Sequence, residues 1–371
     1  MRLGIDASSQ LELDALGASY SYEGRPIDPW VFMVDHNGCS LMRIRVWVDP
    51  YDEDGNPYGA GTNDLQKAII LAKRALKDGY SLLLDFHYSD FWTDPAKQRV
   101  PKSWKNLTSV EAFAKQVYDY TKETLLVLKQ EGIPLEAVQV GNEITKGLLW
   151  PYGYIAEKKE ERTPEQYDAC SKILKQGVLA VREIYPDSKV VIHLERSGDK
   201  ELYDEWLTEM DKRELDFDIL GLSYYPYWHG AVEDVEANIA NINAKFHRPI
   251  WIVEHSYAFT VEPYPRSNGE CNNVVTEQIA EDLISKIPFP MTKKGQAAFF
   301  ADLIKRMEAL DVEMIVYWEP FWIPVEGVKW ASVPAMRYLG APIKSEDNEV
   351  ANQCLFDYEG AGLPSLETFK V

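Results

Sequence analysis

Two glutamates in this chain close apolar runs: Glu143 in VQVGNEITKG and Glu254 in RPIWIVEH. A carboxylate at the end of a buried strand is either neutralised by a salt bridge or held there for chemistry. Two facing carboxylates are what glycoside hydrolysis requires. One protonates the departing glycosidic oxygen, and the other attacks the anomeric carbon or activates water; carboxyls about 5–5.5 Å apart go with retention. Their surroundings must differ. A carboxylate beside an arginine stays ionised as a nucleophile, whereas one with less cationic support holds a proton near neutral pH.

The other strand ends add Asp6, Arg43 and Arg45, His87, Asn142, His193, Tyr225, and Trp318 with Glu319, a polar set that accident rarely collects at one rim. Arg43 and Arg45 flank Ile44, so both face the same side of their strand. A buried arginine needs a carboxylate. Glu254 is the expected partner of Arg45, and Asp6 could neutralise the other; a purely structural ion pair filling the barrel is the competing reading. In DFHYSDFWTDPAKQ the proximity of His87, Asp90 and Asp94 invites a metal reading. A catalytic zinc would want three firm ligands, usually richer in histidine, so no metal is assigned. A structural calcium in the long acidic loops stays open. Trp92, Trp150, Trp318, Trp322 and Trp330 fall in or beside strand-end loops, where an indole can stack on a sugar ring; loop packing is the alternative for each. Trp318 is the choice for the floor of a site.

These residues need a scaffold that gathers strand ends. Eight short apolar runs recur along the chain: RLGID, LMRIRVWV, YSLLLDFHY, LEAVQVGN, SKVVIHLE, FDILGLSYY, RPIWIVEH and EMIVYWEP. Most are too continuously apolar for a sheet with one wet face. Between them, NDLQKAIILAKRALKDG, SVEAFAKQVYDYTKETLLVLKQEG, PEQYDACSKILKQGVLAVREIY and KGQAAFFADLIKRMEAL carry apolar residues at helical spacing. Thr108 with Glu111, and Thr163 with Pro164 and Gln166, read as N-terminal caps. The pattern predicts an α/β fold, a single (β/α)8 TIM barrel over residues 1–371 with its long loops at the C-terminal face. Segments 48–63, 88–107, 144–162, 255–292 and 319–371 each follow a strand and would surround that mouth.

The 371 residues include 39 basic and 59 acidic side chains, a formal charge of −20. That balance argues against nucleic acid or an anionic membrane as partner. No stretch approaches the roughly 18 apolar residues of a membrane span, and the N-terminus lacks the apolar run of a signal peptide. The sequence as written reads as cytoplasmic, or secreted if a signal preceded it, and a monomer is expected. Cys39, Cys170, Cys271 and Cys354 show no Cys-x-x-Cys spacing and read as reduced thiols, with a Cys271–Cys354 bridge confined to an oxidising compartment.

At the level of blocks, MRIRVWVDP, GNPYGAGTNDLQKA, LLLDFHYSDFWTDPAKQRVPKSW, VQVGNEITKGLLWP, GLSYYPYWHG, IVEHSYAF, FPMTKKGQAAFFADLI, YWEPFWIP and NQCLFDYEGAGLPSL run in an order that resembles the endo-β-1,4-galactanases of glycoside hydrolase family 53. These belong to a clan of retaining barrel glycosidases. The resemblance implies an endo-hydrolase of β-1,4-galactan or derived galacto-oligosaccharides that requires no cofactor. It implies Glu143 as acid/base and Glu254 as nucleophile. Asn142 would hold the 2-hydroxyl of the sugar being cleaved, and Arg45 and Tyr225 would hydrogen-bond the nucleophile. Asp85, His87 and Trp318 would shape the subsite of the distorted sugar; Trp92 and Trp150 join the candidate binding residues from their place in the strand-end loops, not from the resemblance. Strand alternation favours Tyr225 over Tyr224, because Ser223 and Tyr225 share a face. Segments 264–290 and 331–350 look atypical of the family, and both lie at the expected mouth.

Two alternatives stay open. The same chemistry could serve another sugar, as a mannanase, cellulase or exo-β-galactosidase, because a barrel rim is readily re-lined. The fold could also bind carbohydrate without turnover, although a pure binder has no need of a buried acid/base pair.

Overall fold

The computed structural model describes residues 1–266, 269–270, 273–344 and 346–370. Eight parallel strands close into a barrel: β1 (Arg2–Asp6), β2 (Cys39–Val46), β3 (Ser81–Phe86), β4 (Ala137–Val140), β5 (Lys189–Leu194), β6 (Ile219–Tyr224), β7 (Ile250–His255) and β8 (Met314–Trp318). Each pairs with its sequence neighbours, and β1 pairs with β8 from Arg2–Met314 to Asp6–Trp318. All eight apolar runs are therefore strands, in the expected order. Burial on both faces explains their composition, since the helices cover one side and the filled lumen the other.

The outer layer comprises α1 (Pro29–Asp35), α2 (Leu65–Lys77), α3 (Val110–Gln130), α4 (Pro164–Ile184), α5 (Lys200–Lys212), α6 (Val232–Lys245) and α7 (Lys293–Glu308). In α2, Ala68, Ile69, Leu71, Ala72 and Ala75 are buried, the stripe that a 3.6-residue period dictates. α4 starts where expected, with Gln166 Oε1 accepting from the Thr163 amide at 3.3 Å. The start of α3 differs by one residue: Ser109, not Thr108, caps it, its hydroxyl accepting from the Ala112 amide at 3.2 Å. A cap bonds the amide three residues on, and both Thr108 and Ser109 are residue types that can do so.

After β8 the chain returns down the outside of the barrel. Asn37 Nδ2 donates to the carbonyls of Leu366 and Phe369 at 2.7 and 2.8 Å, and Phe369 packs among His255, Phe300 and Tyr317. The segments after the strands gather at the C-terminal end of the barrel, over the strand-end residues described next.

Candidate active site

Alternation along the strands fills the lumen in layers. The lower part is apolar, built from residues such as Leu41, Leu83, Val191, Trp251, Val253 and Val316. Gly221 makes room there: a Cβ on it would lie 3.0 and 3.1 Å from methyls of Val191 and Val253. Two residues further along each strand the lumen turns polar, with Asp6, Arg43, Asp85, Gln139, His193 and Ser223 all buried. Strand β7 would break this pattern, because Trp251 and Val253 point inward and simple parity would send Glu254 out. The register slips there: Leu222 pairs with Ile252, but Ser223 pairs with Glu254. That bulge turns Glu254 into the lumen and His255 outward, where its Nδ1 meets the Val316 carbonyl at 2.8 Å.

Arg43 is the hub of the polar layer. Its Nη1 lies 2.9 Å from Asp6 and 2.8 Å from Glu254 Oε1; its Nη2 lies 2.8 Å from Asp85 and 2.9 Å from Asn142 Oδ1. The arginine beside Glu254 is thus Arg43, and the expected pairing of Glu254 with Arg45 does not form. Arg45, two residues nearer the mouth, pairs with Glu319, donates to Ser9 Oγ and the Ala60 carbonyl at 2.8 Å, and lies over the Trp92 ring, 4.4 Å from its centroid. Alternation puts both arginines on one face and cannot say which reaches across to β7. Asp6 serves both, at 2.9 Å from Arg43 and 3.6 Å from Arg45.

The two glutamates have unequal surroundings. Glu254 is held between Arg43 and the Tyr225 hydroxyl, which donates to Oε2 at 2.9 Å. Burial raises its pKa; Arg43 opposes the rise, while Asp6 and Asp85 add to it. Glu143 has no cation in salt-bridge contact among the described residues, and Ser223 Oγ lies 2.6 Å from its Oε1. Burial pushes Glu143 well above the usual carboxylate range, and the charges of Glu254 and Glu195 push the same way. Its backbone sits at φ +52, just after Gly141 at φ +88, a conformation that costs a non-glycine residue about 1–2 kcal/mol. Gln98 secures that turn by donating to the carbonyls of Asn142 and Glu143 at 2.8 and 3.1 Å.

Both carboxyls open on one cavity of about 510 Å³. Arg43, Arg45, His87, Trp92, Asn142, Tyr225 and Trp318 line it with them. Asp85 is fully buried behind this wall, at 2.8 Å from Arg43 and 3.0 Å from His87 Nε2. The Thr93 amide and hydroxyl meet His87 Nδ1 at 3.3 and 2.9 Å, so Nδ1 accepts and Nε2–H faces Asp85. Trp92 stacks on Trp330, which also lines the cavity, with centroids 4.8 Å apart.

Two of the candidate sugar platforms are elsewhere. Trp150 donates its indole N–H to the Lys146 carbonyl at 2.8 Å and packs edge-on against Tyr154, off the cavity lining. Trp322 is fully buried beneath Trp92 and Trp330. Position after a strand end did not distinguish platform from packing. Trp228, in YYPYWHG, is not among the sequence candidates, yet it lines the cavity and is 56% exposed; its place three residues past Tyr225 is the signal the sequence offers. Val274, Glu349 and Val350 bring the atypical segments to the same wall.

Among the described residues no group of three or more His, Cys, Asp or Glu side chains is placed to hold a metal ion. Asp90 instead accepts from the Lys102 amide at 2.7 Å. Cys39, Cys170 and Cys354 are buried thiols; the proposed bridge involves Cys271, which lies outside the described residues. Among the described residues no helix is long and apolar enough to cross a membrane.

A parallel eight-stranded barrel with two buried, unequally supported carboxyls facing one cavity defines a glycoside hydrolase of the barrel class. The family model for glycosyl hydrolase family 53 matches residues 2–369, and the chain belongs to that family. It is 33% identical to the endo-beta-1,4-galactanase of Bacillus subtilis over 99% of this chain and 85% of that one. Its fold matches the family 53 catalytic domain of Ignisphaera aggregans with a TM-score of 0.85 at 33% identity, covering 99% and 94% of the two chains. It matches a fungal beta-1,4-galactanase structure at 0.76 and 26%, covering 100% and 98%.

Proposed function

We propose that this chain hydrolyses β-1,4-galactosidic bonds within galactan by double displacement, with Glu254 as nucleophile and Glu143 as acid/base. The observation that carries the assignment is the asymmetry between the two carboxyls. Arg43 and Tyr225 favour the ionised form of Glu254, the form that attacks, whereas Glu143 is buried with no cation in salt-bridge contact among the described residues and favours the protonated form.

In the first step Glu254 attacks the anomeric carbon, that carbon's bond to the leaving oxygen breaks, and the Glu143 proton passes to that oxygen. In the second, Glu143 takes a proton from water, the water oxygen bonds the anomeric carbon, and Glu254 is released; two inversions give net retention. Asn142 donates one N–H to the Thr93 carbonyl at 2.9 Å, which leaves its second N–H for the sugar 2-hydroxyl. Trp318 and the stacked Trp92 and Trp330 offer flat apolar faces to the ring being cleaved and its neighbours.

The family match over residues 2–369 supports one catalytic domain across 1–371, and a monomer is proposed as the working unit because one barrel carries both glutamates and the side chains that support them. The test is hydrolysis of linear β-1,4-galactan with products sized over time, beside a Glu143→Ala control. A spread of galacto-oligosaccharides that vanishes in the control is expected. Galactose as sole product would replace endo with exo action, and turnover confined to mannan or cellulose would discard the substrate.

A further inference from the structure

Resting on that reading, we propose that Ser223, held by a neutral His193, is a two-position hydrogen-bond switch for the Glu143 carboxyl: it accepts a hydrogen bond from protonated Glu143 before the first step and donates one to the carboxylate after it. The argument begins at Asn142, whose amide has one allowed orientation. Its Nδ2 faces the Thr93 carbonyl at 2.9 Å, and its Oδ1 receives Arg43 Nη2 at 2.9 Å. That same Oδ1 lies 2.9 Å from His193 Nδ1, and a carbonyl oxygen can only accept; Gln139 Nε2 is also 3.1 Å from Nδ1, but its two N–H groups go to Asp85 Oδ1 at 2.6 Å and the Gly141 carbonyl at 3.1 Å, so the ring proton sits on Nδ1. Nε2 is then an acceptor, and the group facing it at 2.8 Å is the Ser223 hydroxyl.

A hydroxyl has one proton to give. With that proton on His193 Nε2, Ser223 Oγ has only lone pairs for Glu143 Oε1, 2.6 Å away, so the proton between those two oxygens belongs to Glu143. This is the state a general acid needs. Once Glu143 has passed its proton to the leaving oxygen, a buried carboxylate without a partner would be costly. Rotation about the Ser223 Cβ–Oγ bond turns the hydroxyl from Nε2 to Oε1; no proton changes owner, and the anion gains a donor. His193 loses its donor at that moment, so the position of the hydroxyl follows the charge on Glu143.

The charged and titratable groups around the pair are Glu254 on β7, Glu195 beyond β5, Arg43 on β2, Lys97 in the loop after β3, Tyr225 after β6 and Tyr203 on α5. Burial, with Arg43, His87 and His229 adding to it, holds the His193 pKa well below the ordinary histidine value, so the ring is neutral in both positions. Ser223 and His193 are positioning residues, acting through Glu143 rather than on the sugar.

The test combines pH profiles with a signal from the ring itself. Ser223→Ala removes a donor to the charged form, worth more than an acceptor to the neutral one, so the alkaline limb of kcat/KM on galactan should move up by about one pH unit. The second step, which needs ionised Glu143, should slow, giving a burst of nitrophenol from a nitrophenyl galactobioside. His193→Leu frees the hydroxyl to stay on the carboxylate, and the same limb should move down. In 15N-histidine spectra of the unmodified protein, the resonance of His193 Nε2 should lose its hydrogen-bonded character as pH rises through the alkaline limb. Shifts of the same sign in the two variants, or an Nε2 resonance that ignores that limb, would overturn the switch. If His193→Leu does not fold, the serine variant and the spectra still decide. The spectra need no substrate, so failure on galactan would count against the proposed function and not against the switch.

Discussion

Arg43 and Arg45 stand two residues apart on β2, point into the same lumen, and each meets a glutamate from a different strand end, Glu254 of β7 and Glu319 just past β8. Only one pair faces the cavity with its carboxyl. Glu254 lines the cavity beside Arg43 and Tyr225, whereas Glu319 is sealed between Arg45 and Ser9, and its Oε2 is buried with no hydrogen-bond partner among the described residues. Composition is the same in both pairs. The difference teaches that chemistry goes to the carboxylate with a supporting cation and an unblocked approach, while the sealed pair maintains the wall. Arg45 does so partly through its face, lying over Trp92 and backing the indole that lines the site.

Breaking the two pairs separately tests that division. The largest contrast is expected between the glutamates: Glu254→Ala should lower galactan hydrolysis by at least about 10⁴-fold, and Glu319→Gln by less than about tenfold. Comparable losses in kcat would erase the distinction. Next, Arg43→Lys replaces a fork that serves Asp6, Asp85, Asn142 and Glu254 with a single ammonium, and kcat should fall about 100-fold. Arg45→Lys should keep kcat within about tenfold and show its effect in the denaturation midpoint instead.

Tyr225→Phe should cost about tenfold in kcat. Its phenol donates to ionised Glu254, so removing it disfavours the anion, raises the pKa further and moves the acidic limb of the rate profile to higher pH. An unmoved limb would show that Arg43 alone sets that charge. The smallest effect concerns stability. Burial raises Glu319 from the ordinary 4.5 to about 7, so between those values the folded chain holds a proton that the unfolded chain has released. Its contribution is therefore present at low pH and lost as pH rises through that window. Urea midpoints for Glu319→Gln should show a shallower decline across it than the parent chain.

The barrel was legible because its eight strands are apolar on both faces, a signal that needs no tertiary knowledge. The ring of strand-end residues followed from it, as did the preference for Tyr225 over Tyr224. What escaped depended on quantities that sequence does not carry. The partner of Glu254 hinged on reach across the lumen, which parity leaves undetermined for Arg43 and Arg45. The inward direction of Glu254 itself contradicts parity and arises from a slip in hydrogen-bond register on β7. Trp150, Trp228 and Trp322 are the same residue type in similar loops; only the path of each loop decides which indole reaches the cavity.

One strand, β6, touches both acidic groups: Ser223 meets Glu143, and Tyr225, just past the strand's end, meets Glu254. Two residues along extended backbone span about 6.6 Å, a length fixed by covalent geometry. Those two side chains tie the supports of both carboxyls to one stretch of backbone, so that the two supports keep a common origin. The rim around it can be re-lined for a different sugar without touching that shared support.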